Sequence, residues 1–315
     1  MWHYIVRRLL LLVPVLLGIS IIVFLIMELI PGDAAQAILG SYATPENLER
    51  VRSELGLDKP LVQRYFIWLG NILQGDFGRS YTLDRPVIDE VLERLGPTLL
   101  LAGASLILAS LLGMAAGIVS AVKQFGWQDM LLTVVVLVGI STPSFWLGLV
   151  FVLLFAVELG WFPVSGMMDV VRGGGFFDIL HHLVLPAVTL GVVATGVIAR
   201  LTRSTMLEVL RKDFIRSARA KGLSEGRVIL RHAYKNALVN IVPVLGIQAG
   251  FVIGGAVYIE TVFQWPGIGR MLVTAIQTRD ILLVQGGVVV IATLYVLINL
   301  IADVAQHALD PRIST

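Results

Sequence analysis

The chain has 315 residues, 57% of them hydrophobic and 15% charged, with a mean hydropathy of +0.85. That is too apolar for a soluble globular domain and fits an integral membrane protein. Its formal charge of +2 is a small difference between 24 basic and 22 acidic residues, so it gives no argument for nucleic acid as a partner, and the absence of cysteine excludes disulfides, thiolate metal sites and a cysteine nucleophile.

Arg7 and Arg8 stand before an apolar run over 9–30, close to the roughly 20 residues that cross a hydrocarbon core. The run is too long for a cleavable signal peptide, and Pro31-Gly32-Asp33 offers no small-residue cleavage site. Residues 1–30 are therefore expected to be a cytoplasmic N-terminus and an uncleaved first span. Glu28 falls near the outer end of that span, where its carboxylate is expected to reach headgroups. Residues 31–96 form a polar insert with seven basic and ten acidic residues, expected on the outer face. Within it Thr44-Pro45 reads as a helix start and Gly56 as a stop. A second helix is predicted from near Pro60 to before Gly75, and a third over 86–95.

Further spans are predicted over 98–122, 130–157, 183–201, 238–258 and 281–304, giving a transmembrane core over 97–304 and a cytoplasmic tail over 305–315. In the third span Ser141-Thr142-Pro143-Ser144 interrupts the apolar sequence. Proline removes a backbone hydrogen bond that hydroxyls can compensate, so the segment fits either a packed kink or a polar contribution to a pathway. The outer loop over 158–182 holds Gly173-Gly174-Gly175 and the pair His181-His182; two histidines are too few ligands for a metal site and read as surface residues. In the fifth span Gly246, Gly250 and Gly254 form a bare face suited to close helix packing. Gln248 lies off that stripe and needs a polar partner or a water-filled passage, with Thr189, Thr195 and Asn299 as weaker lining candidates. Beyond it, Trp265-Pro266-Gly267 and Arg270 introduce an apolar half-helix up to Ile276, expected as an outer gate, a docking contact or an interfacial aromatic anchor.

Between the fourth and fifth spans the sequence changes character. Residues 200–235 carry ten basic residues against three acidic ones, which places this loop in the cytoplasm together with both termini. Leu207, Leu210, Phe214 and Ala218 recur at helical spacing, with Glu208, Arg211, Lys212, Arg216 and Arg219 on the other side. Gly222 suits a left-handed C-cap, Ser224 an N-cap with Glu225 behind it, and Val228, Ile229, His232 and Ala233 mark a second helix. A basic loop alone fits an anionic-lipid contact; the hinged pair of helices favours a docking element.

The run Ala218-Arg219-Ala220-Lys221-Gly222-Leu223-Ser224, followed by Arg231-His232-Ala233 and Asn236-Ala237-Leu238, resembles the cytoplasmic coupling loop, or EAA motif, of ABC importer permeases. Arg216 and Ser217 stand at its first two positions. IPGDAA from Ile30, GDFGRS from Gly75, RPVIDEVLERLGPTLLL from Arg85 and ETVFQWPGIGR from Glu260 are similar to the dipeptide/oligopeptide/nickel branch, so the likeness spans most of the chain. It implies an all-α integral membrane protein with six transmembrane helices of the type I importer kind and a helical extracytoplasmic insert. The expected setting is a prokaryotic inner membrane. The resemblance further implies a second, homologous permease chain, two cytoplasmic ATPases and an extracytoplasmic solute-binding protein. Phe214, Arg216, Ser217, Ala218, Arg219, Lys221, Gly222, Leu223 and Ser224 would make the ATPase contact, and Ser141, Thr142, Ser144, Gln248, Trp265, Pro266, Gly267 and Arg270 would line or gate the pathway.

No G-x-x-x-x-G-K-[ST] loop or HExxH occurs. ATP and Mg²⁺ are therefore expected on partner subunits, with no cofactor, metal or catalytic residue in this chain. The default substrate is a dipeptide or oligopeptide, with glutathione or a nickel complex as the alternative. An ion-coupled carrier or channel is disfavoured because Glu28, Glu260 and Asp303 sit near span ends rather than as mid-span pairs.

Overall fold

The computed structural model describes residues 2–29, 44–54, 58–169 and 173–309. In lipid every backbone N–H and C=O must find its partner inside the chain, which helices achieve segment by segment, and all named elements among the described residues are helical. They are α1 (Trp2–Leu29), α2 (Pro45–Glu54), α3 (Leu61–Leu73), α4 (Val87–Val122), α5 (Trp127–Ser141) and α6 (Ser144–Phe151), the last continued by a π-helical stretch, Val152–Glu158. There follow α7 (Phe176–Leu210), α8 (Asp213–Ala220), α9 (Glu225–Val262, π-helical over Val228–Tyr234), α10 (Ile268–Gln277) and α11 (Ile281–Leu309). By length and composition α1, α4, α7, α9 and α11 are five candidate spans, and α5 with α6 makes a sixth.

Several boundaries differ from those expected. The helix anticipated over 86–95 is not separate: α4 runs without a break for 36 residues through Pro97. Likewise α7 begins at Phe176, ends at Leu210 and contains Pro186. Hydropathy marks the part of a helix that lies in lipid, whereas backbone hydrogen bonding carries the helix past that edge, and proline inside a span is tolerated where neighbouring helices supply partners. The third span is bent where Pro143 suggests a kink, α5 and the α6 segment meeting at 108°. Ser144 opens α6 behind Pro143, with no side-chain hydrogen bond capping that N-terminus. Thr44 caps α2 as anticipated, its Oγ1 accepting the Asn47 N–H at 3.3 Å. Gly56 and residues 30–35 lie outside the described residues.

The most extensive helix pair is α4 with α7. Ser105, Ala109, Gly113, Gly117 and Ala121 recur about every turn along α4 and are all buried, so the backbones meet with almost no side chain between them. A Cβ on Gly117 would stand 2.5 Å from Thr202 Cβ and 2.6 Å from the Ala199 carbonyl. At one end of this pair Arg203 of α7 donates Nε and Nη2 to the two carboxylate oxygens of Asp129, at 2.8 and 2.7 Å. Ser120 of α4 donates to the same carboxylate, and the Phe125 N–H reaches it at 3.0 Å. The clasp joins α4, α5 and α7 next to the basic loop.

At the opposite end, buried Asp280 caps α11. Its Oδ1 accepts the Leu283 N–H at 3.1 Å, and its Oδ2 accepts the Ser80 and Thr82 hydroxyls at 2.6 and 2.8 Å. The GDFGRS segment is thereby fastened to α11, with Phe77 against Gly286. Burial, helped by the Asp280 carboxylate, raises the pKa of the neighbouring Tyr81 phenol, which keeps that group neutral. Near the end of α1 the Glu28 carboxylate holds Arg64 of α3 in a two-pronged pair at 2.5 and 2.8 Å. Of the fifth-span glycines, Gly246 and Gly250 press on Ala302 and Tyr295 of α11, while Gly254 faces open space.

Gly117→Ala is expected to lower the thermal midpoint of the purified chain, at a cost of about 1–3 kcal/mol from overpacking. Gly103→Ala, where nothing stands within 4 Å of the added methyl, is expected to cause no loss; differential scanning fluorimetry in detergent reads both.

Candidate functional site

At the basic end α7 stops at Leu210 and the short helix α8 turns across it. Ile215 and Ala218 of α8 are buried in a cluster with Met206 and Val209 of α7, Ala121 of α4, and Val228, Ala233, Ala237 and Ile241 of α9. The face expected to hold Phe214 and Ala218 together is divided: Ala218 turns inward with Ile215, whereas Phe214 is 41% exposed. An aromatic ring left outside while its aliphatic neighbours are buried is a candidate for a contact surface.

The hinge after α8 is a Schellman motif. The Leu223 N–H donates to the Ala218 carbonyl at 3.4 Å and the Gly222 N–H to the Arg219 carbonyl at 2.9 Å. This closure needs the left-handed backbone of Gly222, whose φ is +77°. Ser224 stands at the N-cap position, but its side chain makes no capping hydrogen bond; its carbonyl instead accepts the Arg227 and Val228 N–H groups at 2.9 and 3.0 Å. Glu225 contributes in a different way than a first-turn acid, gripping Arg219 at 2.8 and 3.2 Å across the hinge. Arg216 and Ser217 are exposed, as are Arg219, Lys221, Gly222 and Ser224, and Leu223 is partly buried. Lys221, Arg227, Arg231 and Lys235 are without an ion-pair partner among the described residues, so the knob presents one aromatic ring in a field of positive charge.

The opposite end is organised by Glu260, which is fully buried. Its Oε1 accepts the Thr98 hydroxyl at 2.7 Å and its Oε2 the Arg270 N–H at 3.1 Å. Thr98 in turn accepts the Ile268 N–H at 2.9 Å. A carboxylate thus faces the first turn of α10, where unpaired N–H groups and the helix dipole favour negative charge. Gly267 permits this, because any Cβ there would overlap the Glu260 carboxylate. Trp265 is also fully buried and donates Nε1–H to the Pro97 carbonyl at 2.9 Å, so it is not an interfacial anchor. Pro266 and Arg270 are partly exposed, and Arg270 Nη1 donates to the Gln264 carbonyl at 2.6 Å. The half-helix α10 does not dip alone into lipid; it packs through Ile268, Met271, Leu272 and Ala275 on α4 and α11.

Ser141, Thr142 and Ser144 lie at the α5–α6 bend, where Thr142 Oγ1 donates to the Val138 carbonyl at 2.7 Å. Gln248 is buried in mid-α9. No hydrogen bond among the described residues joins the bend, Gln248 and the Trp265 segment. The pairings of Glu260 with Thr98, and of Asp129 with Arg203 and Ser120, are not among the sequence expectations. Their signal was available as ionisable residues just inside helices otherwise made for lipid, but the partners are 162 and 74 residues apart. His181 and His182 bind the Trp161 and Asp178 carbonyls, and no cluster suited to a metal occurs among the described residues.

Glu260→Gln keeps the shape but replaces one acceptor by a donor facing other donors, and is expected to cost about 1–3 kcal/mol. The loss should appear as faster amide hydrogen exchange over 264–277, with exchange at 213–224 unchanged; equal acceleration at both ends would contradict a local role.

Residues 1–102 match the family described as "Binding-prot-dependent transport system membrane comp, N-term", and residues 113–315 that described as "Binding-protein-dependent transport system inner membrane component". The chain is 43% identical to the dipeptide transport system permease protein DppB of Alkalihalophilus pseudofirmus, over 99% of each chain. It is 42% identical to the glutathione transport system permease protein GsiC of Escherichia coli K12, again over 99% of each. Among solved structures, a chain of the MetNI methionine ABC transporter in an inward-facing conformation is similar in fold, with a TM-score of 0.56 and 19% identity over 70% of this chain and 95% of that one. The chain belongs to the inner-membrane permease family of binding-protein-dependent transport systems.

Proposed function

We propose that this chain forms half of the translocation pathway of an ATP-driven importer for dipeptides and oligopeptides, and that residues 213–224 are its contact with the motor. The single observation that carries the reading is the knob: Phe214 stands exposed on a loop whose Lys221, Arg227, Arg231 and Lys235 have no ion-pair partner among the described residues, while Ile215 and Ala218 root the same helix in the core. The peptide substrate is drawn from the relatives named for dipeptide and glutathione transport; glutathione, itself a small peptide, is the second reading. Nucleotide and Mg²⁺ belong to two cytoplasmic ATPase subunits, since this chain carries no phosphate-cradling loop. A distinct homologous permease completes the pathway and an extracytoplasmic binding protein delivers the solute. The basic end and both termini are cytoplasmic, by the excess of arginine and lysine over 200–235.

The packing supplies a route for force. Ile215 and Ala218 share one apolar cluster with α4, α7 and α9, so a pull on α8 moves three spans rather than a loose loop. The clasp of Arg203, Asp129 and Ser120 carries the displacement to α5. At the far end the Glu260 knot joins α9, α4 and α10, which favours rocking of packed bodies between two arrangements over local bending. The partly exposed Pro266 and Arg270 sit on that rigid shelf as the proposed outer gate.

Phe214→Ala is expected to leave the thermal midpoint unchanged, because the ring is exposed, and to weaken co-purification with the ATPase subunits by about 2 kcal/mol, roughly thirtyfold. Gly222→Val forces a β-branched residue into the left-handed region and should reduce both association and ATP-dependent uptake of labelled dipeptide in vesicles. Full ATPase association by both variants would refute the knob as the docking element, and uptake of glutathione in place of dipeptide would select the second reading.

A further inference from the structure

In α3 the residues Val62, Phe66, Leu69 and Leu73 recur at helical spacing along one side. Val62 and Phe66 are each 63% exposed and Leu73 is 79% exposed. Gln63 and Asn71 occupy other sides of the helix and are also exposed. The 13-residue helix contains a single charge, Arg64, and that charge is held by Glu28 of α1. The side facing α1 is aromatic: Tyr65 and Trp68 pack on Phe24, with ring centroids at 5.5 and 5.6 Å, and the Tyr65 hydroxyl meets the Ser20 hydroxyl at 2.8 Å.

These contacts fix the height of α3. The candidate span of α1 runs over Val6–Leu29, so Glu28 marks its end and Ser20 lies about 14 Å inside that end at 1.5 Å per residue. A hydrocarbon core is about 30 Å thick, which puts the Tyr65 side chain well within one leaflet. Ser20, Phe24 and Glu28 stand a turn apart on the face of α1 that holds α3, while exposed Ile22, Leu25, Ile26 and Leu29 lie on its other sides, so at this height α1 too presents apolar side chains to acyl chains.

We propose that α3, expected from sequence to be part of a water-exposed insert, is an in-plane helix seated in the leaflet at the end opposite the basic loop, with Val62, Phe66 and Leu73 on lipid acyl chains. An amphipathic helix with a neutralised charge and aromatic residues at its flank suits that interface, and the pair of Glu28 with Arg64 pins it to α1. That the leaflet is the outer one rests on the orientation proposed above; the lipid contact does not.

The chain contains no cysteine, so Val62→Cys, Phe66→Cys, Leu73→Cys, Gln63→Cys and Asn71→Cys can each carry one nitroxide in the assembled transporter in phosphatidylcholine vesicles. Frequent collision with oxygen and severalfold less collision with a water-soluble nickel chelate are expected at 62, 66 and 73, with the reverse at 63 and 71. Chelate access along the stripe would show a helix in water. Access by neither reagent would show a stripe covered by protein; either result overturns the proposal. Glu28→Gln is expected to raise chelate collision at 66 severalfold by releasing α3. Labelling of Gln63→Cys and Asn71→Cys by an impermeant maleimide in inverted vesicles but not in intact cells would reverse the orientation while leaving the lipid contact intact.

Discussion

The close approach of α4 and α7 is the constraint on which the remaining packing depends. Helices in lipid gain little by hiding apolar surface from one another, so they associate where small residues let backbones touch and where polar groups find partners. Ser105, Ala109, Gly113 and Gly117 supply the first condition. Arg203, Asp129 and Ser120 supply the second at one end of the pair. With that pair fixed, α9 has a groove to occupy, and Leu101, Ala109, Leu190, Ala194, Val252 and Ala256 close into one core.

The two ends of the bundle solve different problems with similar chemistry. At the basic end ionic groups clamp helices together just below a helix whose outer surface is left unsatisfied, which suits a handle. At the other end Glu260 and Asp280 are both fully buried, each receiving donors from two or more segments. Buried carboxylates are retained where backbone N–H groups and hydroxyls replace water around them, and here they convert irregular connections into rigid ones. A transporter that must switch between two arrangements benefits from stiff bodies on either side of its moving interfaces.

Members of this permease family are named for different solutes. Relatives named for dipeptides and for glutathione are almost equally similar to this chain.

The sequence by itself determined the class of the protein, the number of spans, the basic loop and the glycine hinge within it. Each of these is local: apolar run length, charge density and the need for a left-handed backbone at Gly222 act over a few turns of chain. Tertiary structure alone decided that α4 continues through Pro97, that Phe214 faces out while Ile215 faces in, and that Ser224 leaves its cap unmade. It also decided that Glu28 binds Arg64, and that Trp265 lies buried against Pro97. These outcomes depend on partners distant in sequence, and hydropathy scores how much a residue prefers lipid without saying which helix will stand beside it.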